Sequence, residues 1–157
     1  MKSSREYPER PVVGVGGVII HEGRALLIRR GSEPFRGEWS IPGGILELGE
    51  TLAEGVAREL REETGIAVRV LGQIEVFERI FTEKGGEKTK EKKQPRYHFV
   101  IADYLCERIS GKARAGSDVT DVAYAREEEL EKYHLTETAL RVIRKAFAMD
   151  RALRKSG

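Results

Sequence analysis

Apolar residues recur along this chain of 157 residues with two different periods. Short runs rich in β-branched residues predict strands, because such side chains fit a half-buried pleated surface. Apolar positions three and four residues apart predict helices that bury one face. The first pattern predicts strands over residues 12–20, 25–30, 39–42, 67–81, 96–106 and 121–125. The second predicts helices over residues 51–64 and 136–153, with a short helix over residues 127–132.

This order of elements predicts an α/β (α+β) fold with a mixed β-sheet between helices. The length fits one domain that spans residues 1–157. Two polar segments stand outside the pattern. Residues 1–11 hold two prolines and predict an irregular arm. Residues 83–95 hold five lysines, three glutamates and no apolar residue, which is typical of a charged hairpin loop. That loop is either simply solvated or reaches over the site and attracts phosphate.

The helix predicted over residues 51–64 carries a stripe of acidic residues. Glu59, Glu62 and Glu63 are spaced i, i+3 and i+4, so they fall within about 100° of the helix surface. Each such like-charge pair costs roughly 0.2–0.5 kcal/mol, and a hard cation such as Mg²⁺ would turn that cost into a site. A solvated acidic face is the alternative. Gly55 costs about 1 kcal/mol inside a helix, which indicates that something nearby needs room.

A neighbouring arc of the same helix is apolar and can pack on a sheet. Its residues are Ala53, Val56, Ala57 and Leu60. The sequence Ile41-Pro42-Gly43-Gly44 just upstream cannot be helical, and we expect a loop that offers backbone carbonyls to the acidic stripe.

The segment over residues 44–66 resembles the Nudix box, G-x5-E-x7-R-E-U-x-E-E-x-G-U, where U is a bulky aliphatic residue. Every fixed position is filled, by Gly44, Glu50, Arg58, Glu59, Leu60, Glu62, Glu63, Gly65 and Ile66. The stretches 14–20, 25–30 and 39–44 also resemble the beginning of a Nudix domain. The resemblance implies an α/β/α sandwich and metal-dependent hydrolysis of a nucleoside diphosphate linked to another group.

The resemblance also implies roles for individual residues. Glu59, Glu63, Glu62 and a backbone carbonyl of Gly43 or Gly44 match the metal-binding positions, with Mg²⁺ (or Mn²⁺) as the ion. Glu59 and Glu62 are also the catalytic candidates, with Arg58 orienting the glutamates. Glu50 is either structural or helps to bind a second ion. Some family members take the base or another ligand from outside the box, and the candidates here are Asp118, Asp121, Glu127 and Glu128. Surface exposure or helix capping is the alternative for each of them.

Candidate substrate-binding residues lie outside the box. Arginine binds phosphate well. Of the neighbouring Arg29 and Arg30, we expect one to bind phosphate and the other to be only a surface charge. Aromatic side chains can stack on a base, whereas Trp39 could equally anchor the core. The candidate set is Arg29, Arg30, Phe35, Trp39 and Arg79, with Phe77 and Tyr97 as further residues that could line the pocket.

The stretch over residues 29–50 resembles ADP-ribose pyrophosphatase-like Nudix proteins, so we expect an ADP-ribose-like substrate. The proline that many ADP-ribose hydrolases carry beyond the box is missing, because Phe81 and Thr82 occupy those positions. A (d)NTP or oxidised-dNTP pyrophosphohydrolase, with a house-cleaning role, therefore stays open as an alternative. A non-catalytic nucleotide sensor is a weaker one, since such sensors have a damaged box and an added DNA-binding domain.

Composition narrows the classes of function and cellular location that the sequence allows. Charged residues make up 34% of the chain, but the net charge is only +2, which argues against a dedicated nucleic-acid binder. The basic segment 141–155 fits RNA contact, a solvated face or a dimer contact. The single cysteine, Cys106, excludes an internal disulfide. No long apolar segment predicts a membrane span, so we expect a soluble, cytoplasmic protein. A homodimer stays open, because many family members are homodimers.

Overall fold

The computed structural model describes residues 5–82 and 94–156. Its strands are β1 (Val12–His21), β2 (Arg24–Arg30), β3 (Trp39–Ser40), β4 (Gly43–Ile45), β5 (Ala67–Phe81), β6 (Tyr97–Ser110) and β7 (Val119–Ala125). Its helices are α1 (Leu52–Thr64), a 3₁₀ helix (Glu127–Tyr133) and α2 (Glu137–Ser156). The predicted class, a mixed sheet with helices, is confirmed.

The strands form a seven-stranded mixed sheet in the order β3-β2-β1-β6-β5, with β4 paired to β1 and β7 paired to β2. Strand β1 runs parallel to β6 and antiparallel to β2 and β4. One apolar cluster packs α2 on the sheet through Val142, Ile143 and Phe147. A second packs α1 on the sheet through Val56 and Leu60. The described fold therefore has three layers with a helix on each side of the sheet.

Helix α1 has clear signals at both ends. Thr51 accepts a hydrogen bond from the Glu54 N–H at 3.1 Å, and Glu54 accepts one from the Thr51 N–H at 2.9 Å. This reciprocal capping satisfies two donors that the first turn leaves free. Gly65 ends the helix with a φ of 74°, which glycine adopts without strain. The prediction of a helix over residues 51–64 is confirmed, with Thr51 as its cap.

The prediction of a loop at residues 41–44 holds for Ile41 and Pro42, which belong to no helix or strand, but is wrong for Gly43 and Gly44. Gly43 and Gly44 belong to β4 and pair with Gly16 and Val15 of β1. A Cβ on Gly43 would collide with the Val15 carbonyl oxygen, so only glycine allows the two backbones to come this close. The prediction of one extended segment over residues 39–42 is corrected to two short strands, β3 and β4.

Two predictions about the faces of α1 also change. Ala53 is exposed rather than packed on the sheet. Gly55 is buried, and a Cβ there would lie 2.8 Å from Leu46 Cδ1. The room that Gly55 provides is therefore taken by the protein's own core.

Residues 5–11 form no helix or strand, and Tyr7 N–H donates to the Arg96 carbonyl at 2.8 Å. Of the predicted charged loop, residues 83–93 lie outside the described part of the chain. Among residues 5–82 and 94–156, no helix is both long enough and apolar enough to span a membrane.

The tight contact between β1 and α1 predicts a stability difference between two glycine substitutions. A Cβ on Gly17 would lie 2.8 Å from Leu60 and 3.0 Å from Val56, whereas one on Gly72 would meet only Met149 at 3.7 Å. We expect Gly17→Ala to lower the free energy of unfolding by about 1–3 kcal/mol through overpacking. Gly72→Ala should change it by less than about 0.5 kcal/mol. Urea denaturation measures both, and equal effects would contradict the packing described here.

Candidate active site

Arg58 holds together the acidic residues of α1 and the loop before it. Its Nε lies 2.6 Å from Glu50 Oε2, and its Nη1 lies 2.8 Å from Glu59 Oε1 and 3.4 Å from Glu62 Oε2. Its Nη2 also donates to the Ile45 carbonyl at 3.0 Å. The hydrogen bond from Arg58 lowers the pKa of Glu50 to about 2, and the same bond raises the pKa of the guanidinium. Arg58 therefore offsets the repulsion between the glutamates and fixes their positions.

Glu59 and Glu63 are the two acidic side chains that face β4. Glu63 Oε1 accepts a hydrogen bond from the Gly43 N–H at 2.7 Å. A Cβ on Gly44 would collide with the Glu59 carboxylate, so the missing side chain leaves this carboxylate against bare backbone. The helix and the strand thus place two carboxylates beside the backbone of two glycines.

The protonation of these two glutamates reflects their burial. Burial raises the pKa of Glu63 to about 7, the Gly43 N–H opposes that rise, and the nearby Glu59 charge adds to it. Burial also raises the pKa of Glu59, while its hydrogen bond from Arg58 lowers it. Two desolvated carboxylates side by side are costly unless a cation neutralises them.

A divalent cation fits this arrangement. Carboxylate and carbonyl oxygens are the donors that hard cations prefer, and the bare backbone at Gly44 provides a cradle that any larger residue would fill. In the described residues, however, no three His, Cys, Asp or Glu side chains already converge on one point. Glu62 is the most exposed of the three box carboxylates that match metal-binding positions: its side chain is 49% exposed and lies 3.4 Å from Arg58.

Of the four acidic candidates outside the box, Asp118 is the one whose charge acts on Glu63. The loop after β6 packs on the end of α1, where Gly116 N–H donates to the Glu63 carbonyl at 3.0 Å. The pKa of Glu63 is raised first by burial and, to a smaller extent, by the charge of Asp118. A Cβ on Gly116 would collide with the Glu62 carbonyl oxygen, so this glycine permits the approach.

The other three candidates have different surroundings. Asp121 Oδ1 accepts a hydrogen bond from the Val122 N–H at 2.9 Å. Glu127 pairs with Arg151 at 3.0 Å, and Glu128 is exposed. Asp118 is therefore the candidate with an electrostatic link to Glu63, on a loop that packs against α1.

A pocket opens between β4 and the N-terminal end of α2. Four of the five candidate substrate-binding residues line it, namely Arg30, Phe35, Trp39 and Arg79. Arg29 does not, because its exposed side chain donates instead to the Gly37 carbonyl at 3.0 Å. The other lining residues are Arg5, Gly14, Val15, Gly16, Pro34, Glu38, Ser40, Ile41, Gly43, Gly44, Ile45, Phe77, Phe81, Phe99, Ile101, Asp103, Thr136, Thr138 and Ala139.

Aromatic rings and arginines form one wall of the pocket. The Arg79 guanidinium lies 5.2 Å from the centre of the Phe35 ring and 4.9 Å from that of Phe81. Burial lowers the pKa of Arg79, so its charge is held at a cost. Arg30 is partly buried and donates to the Pro34 carbonyl at 2.8 Å. These two cations are suited to an anionic ligand.

Trp39 fits both of its proposed roles. Its ring packs edge-on against Tyr133 with the centres 5.1 Å apart, as part of the α2-side core, and it also lines the pocket. Phe77 lines the pocket as well, whereas Tyr97 is only 7% exposed and lies outside the lining.

Sequence reasoning missed several lining residues. Arg5 belongs to the irregular arm, and Glu38 and Thr136 lie in loops, where no pattern marks them. Asp103 did have a signal, since it is an acidic residue inside the apolar strand sequence Val-Ile-Ala-Asp-Tyr-Leu-Cys. It is only 3% exposed.

Comparisons with known proteins agree with this geometry. The family model described as the NUDIX domain matches residues 10–146. A Methanocaldococcus jannaschii protein named ADP-ribose pyrophosphatase is 32% identical over 114 residues, which cover 73% of this chain and 61% of that protein. A MutT-like protein from Streptomyces ambofaciens is 35% identical over 146 residues, or 91% of this chain and 83% of that protein.

The solved structures give the same result. A MutT NUDIX hydrolase from Burkholderia pseudomallei superposes with a TM-score of 0.72 at 29% identity, covering 87% of this chain and 98% of that one. The chain thus spans less than two thirds of the length of the archaeal relative, but nearly the whole of this structural neighbour.

The burial of Glu63 predicts opposite effects of Glu63→Gln with and without metal. Its pKa of about 7 lies above the ordinary 4.5, so the metal-free fold loses stability as the pH rises from about 4.5 through 7. We expect Glu63→Gln to raise the metal-free free energy of unfolding at pH 8 by on the order of 1–3 kcal/mol, and to reduce the stabilisation that Mg²⁺ gives.

Denaturant unfolding at pH 4.5 and pH 8, with EDTA or with Mg²⁺, measures both effects. The exposed Glu131→Gln serves as the control and should change neither. A Glu63→Gln variant that is less stable than the wild type at pH 8 in EDTA, yet gains as much from Mg²⁺, would contradict the description of this site.

Proposed function

The chain belongs to the Nudix family, and on that basis we propose that it hydrolyses a pyrophosphate bond in a nucleoside diphosphate derivative, with ADP-ribose or a close relative as substrate. The observation that carries this proposal is the position of Glu59 and Glu63 against the bare backbone of Gly43 and Gly44. That position is continuous with a pocket lined by arginines and aromatic rings. Cation-binding groups and an anion-binding pocket therefore share one opening.

Glu59, Glu63 and the Gly44 carbonyl would hold the divalent cation, with Glu62 as a further ligand or as a contact to water. When bound, Mg²⁺ or Mn²⁺ supplies charge neutralisation at the phosphate oxygens and a lowered pKa for water. Arg58 acts as a positioning residue, because its bonds to Glu50 and Glu59 fix the carboxylates.

A proton must leave the water that attacks phosphorus. Glu63 would not be free to accept it, because as a ligand of the cation its carboxylate would stay ionised and occupied. Asp118, from the loop that packs on α1, is the candidate base outside the box. Arg30 and Arg79 would bind the phosphates that are not being cleaved, through charge-assisted hydrogen bonds.

The choice of ADP-ribose has two supports. The Methanocaldococcus jannaschii relative carries the name ADP-ribose pyrophosphatase. The pocket combines aromatic rings with arginines, which suits a nucleotide whose diphosphate is linked to a second polar group such as ribose. A nucleoside triphosphate would meet the same arginines. Hydrolysis of a (d)NTP is therefore the alternative reaction, and comparing substrates distinguishes it from hydrolysis of ADP-ribose.

Assays of a panel of substrates with the wild type and with the Glu59→Gln variant test the proposed reaction. We expect Mg²⁺-dependent cleavage of ADP-ribose to AMP and ribose 5-phosphate, and a fall in kcat on the order of a hundredfold or more in Glu59→Gln, because one of the charges that position the reaction is lost. Products are separated by chromatography for ADP-ribose, NADH, nucleotide sugars, dinucleoside polyphosphates and ordinary and oxidised dNTPs.

The Glu131→Gln variant should match the wild type. Faster cleavage of a dNTP than of ADP-ribose would reject the substrate assignment and keep the reaction. If Glu59→Gln retained the wild-type kcat, the assigned metal position would be wrong. No cleavage of any compound would favour a nucleotide sensor.

The two neighbouring arginines of β2 predict a contrast in substrate affinity. Arg30 lines the pocket, whereas Arg29 lies outside it. We expect Arg30→Met to raise KM for the best substrate about tenfold, as expected for the loss of one charge-assisted hydrogen bond of about 1.5 kcal/mol, with a smaller change in kcat. Arg29→Met should raise KM less than twofold. Steady-state kinetics measures both, and a larger KM effect at Arg29 would reverse the assignment.

A further inference from the structure

Asp103 is a buried acidic side chain that the proposed reaction does not use. It lies on β6 with 3% of its surface exposed and lines the pocket. It sits between Gly16 of β1 and Glu75 of β5 in the sheet register. Among residues 5–82 and 94–156, no hydrogen bond or ion pair reaches its carboxylate, whose oxygens retain some accessible surface at the pocket. Buried carboxylates normally have such partners.

The surrounding residues explain why Asp103 has no cation. The basic side chains of α2 that reach this part of the sheet are Arg141 and Lys145, and both bind Glu75, Lys145 at 2.5 Å. Those contacts, led by Arg141, lower the pKa of Glu75 to about 2. Burial raises the pKa of Asp103 to about 7, and the Glu75 charge adds to that rise.

The sheet also makes room for this carboxylate. A Cβ on Gly16 would collide with Asp103 Oδ1, so the glycine is needed where the two strands run side by side. The same face of the sheet carries Phe77 and Ile101, and Ala139 of α2 lies across the pocket. Asp103 is thus a hydrogen-bond acceptor within an apolar slot.

This combination fits a planar base with an N–H donor on its edge. Above a pH of about 7 the Asp103 carboxylate is ionised and only accepts hydrogen bonds. An apolar slot favours a flat ring over a sugar, whose hydroxyls would be desolvated there. Few and well-placed polar groups in an apolar pocket are the usual source of ligand specificity.

We propose that Asp103 is the residue that determines base specificity, by accepting a hydrogen bond from an amino group of the substrate's nucleobase. The inference rests on the proposed function for the identity of the ligand, and it adds a selectivity that the box residues do not provide. An amino base such as adenine is accepted, and its deaminated counterpart, which carries a carbonyl oxygen in the same place, is rejected because two acceptors would face each other.

The test compares ligands that differ by one amino group. ADP and IDP are titrated into the protein by calorimetry at pH 8 in EDTA, so that metal-dependent cleavage of their phosphate–phosphate bond does not proceed, and ADP-ribose and its hypoxanthine analogue are compared in hydrolysis with Mg²⁺ at the same pH. The wild type should favour the amino compound on the order of tenfold in Kd and in kcat/KM. In Asp103→Asn the preference should fall to about twofold or less, because an amide can both donate and accept.

Glu78→Gln is the matched control. It lies on β5 with its side chain exposed and outside the pocket lining, and it should keep the wild-type preference. Thermal unfolding of both variants shows whether each is folded. The wild-type ratio needs no variant, so a misfolded Asp103→Asn would not remove the test.

Each outcome decides something different. Equal Kd values for ADP and IDP in the wild type would overturn the inference. A loss of affinity in Asp103→Asn that is the same for both ligands would also overturn it, because the carboxylate would then hold a group common to both, such as the ribose hydroxyls. Selective binding without any hydrolysis would support the role of Asp103 and reject the proposed reaction.

Discussion

The close approach of β4 to β1 is the constraint on which the rest of the site depends. Gly43 and Gly44 allow it, because a Cβ on either would collide with the Val15 carbonyl or the Glu59 carboxylate. Once the backbones are this close, the Gly43 N–H reaches Glu63 at 2.7 Å. The sheet and the helix are thereby joined at the point where the acidic side chains are most concentrated.

That junction carries an electrostatic cost that Arg58 only partly offsets. The guanidinium contacts Glu50, Glu59 and Glu62, while Glu63 depends on one backbone N–H and keeps a pKa of about 7. A helix selected for stability alone would not bury like charges in this way. The excess negative charge is what a divalent cation requires, so the arrangement is understandable as a compromise between folding and binding.

Local signals explain what could be predicted from the sequence. Thr51, Glu54 and Gly65 mark the ends of α1, and the box itself is a contiguous pattern. The bounds of β5 also agree with prediction, because its apolar residues alternate over residues 67–81. The rest depends on contacts between distant segments. Which of two adjacent arginines lines the pocket, that the charge of Asp118 rather than that of Asp121 acts on Glu63, and that Gly43 and Gly44 form a strand are all decided by tertiary packing.

Direct binding of a cation to the box carboxylates is the central claim, and titration with Mn²⁺ tests it most directly. The EPR signal of free Mn²⁺ would be followed as metal is added to wild-type protein and to a Glu59→Gln/Glu63→Gln double variant. The account predicts saturable loss of the free signal with the wild type, and binding at least about tenfold weaker with the folded double variant. Equal Mn²⁺ binding by the two proteins would contradict it.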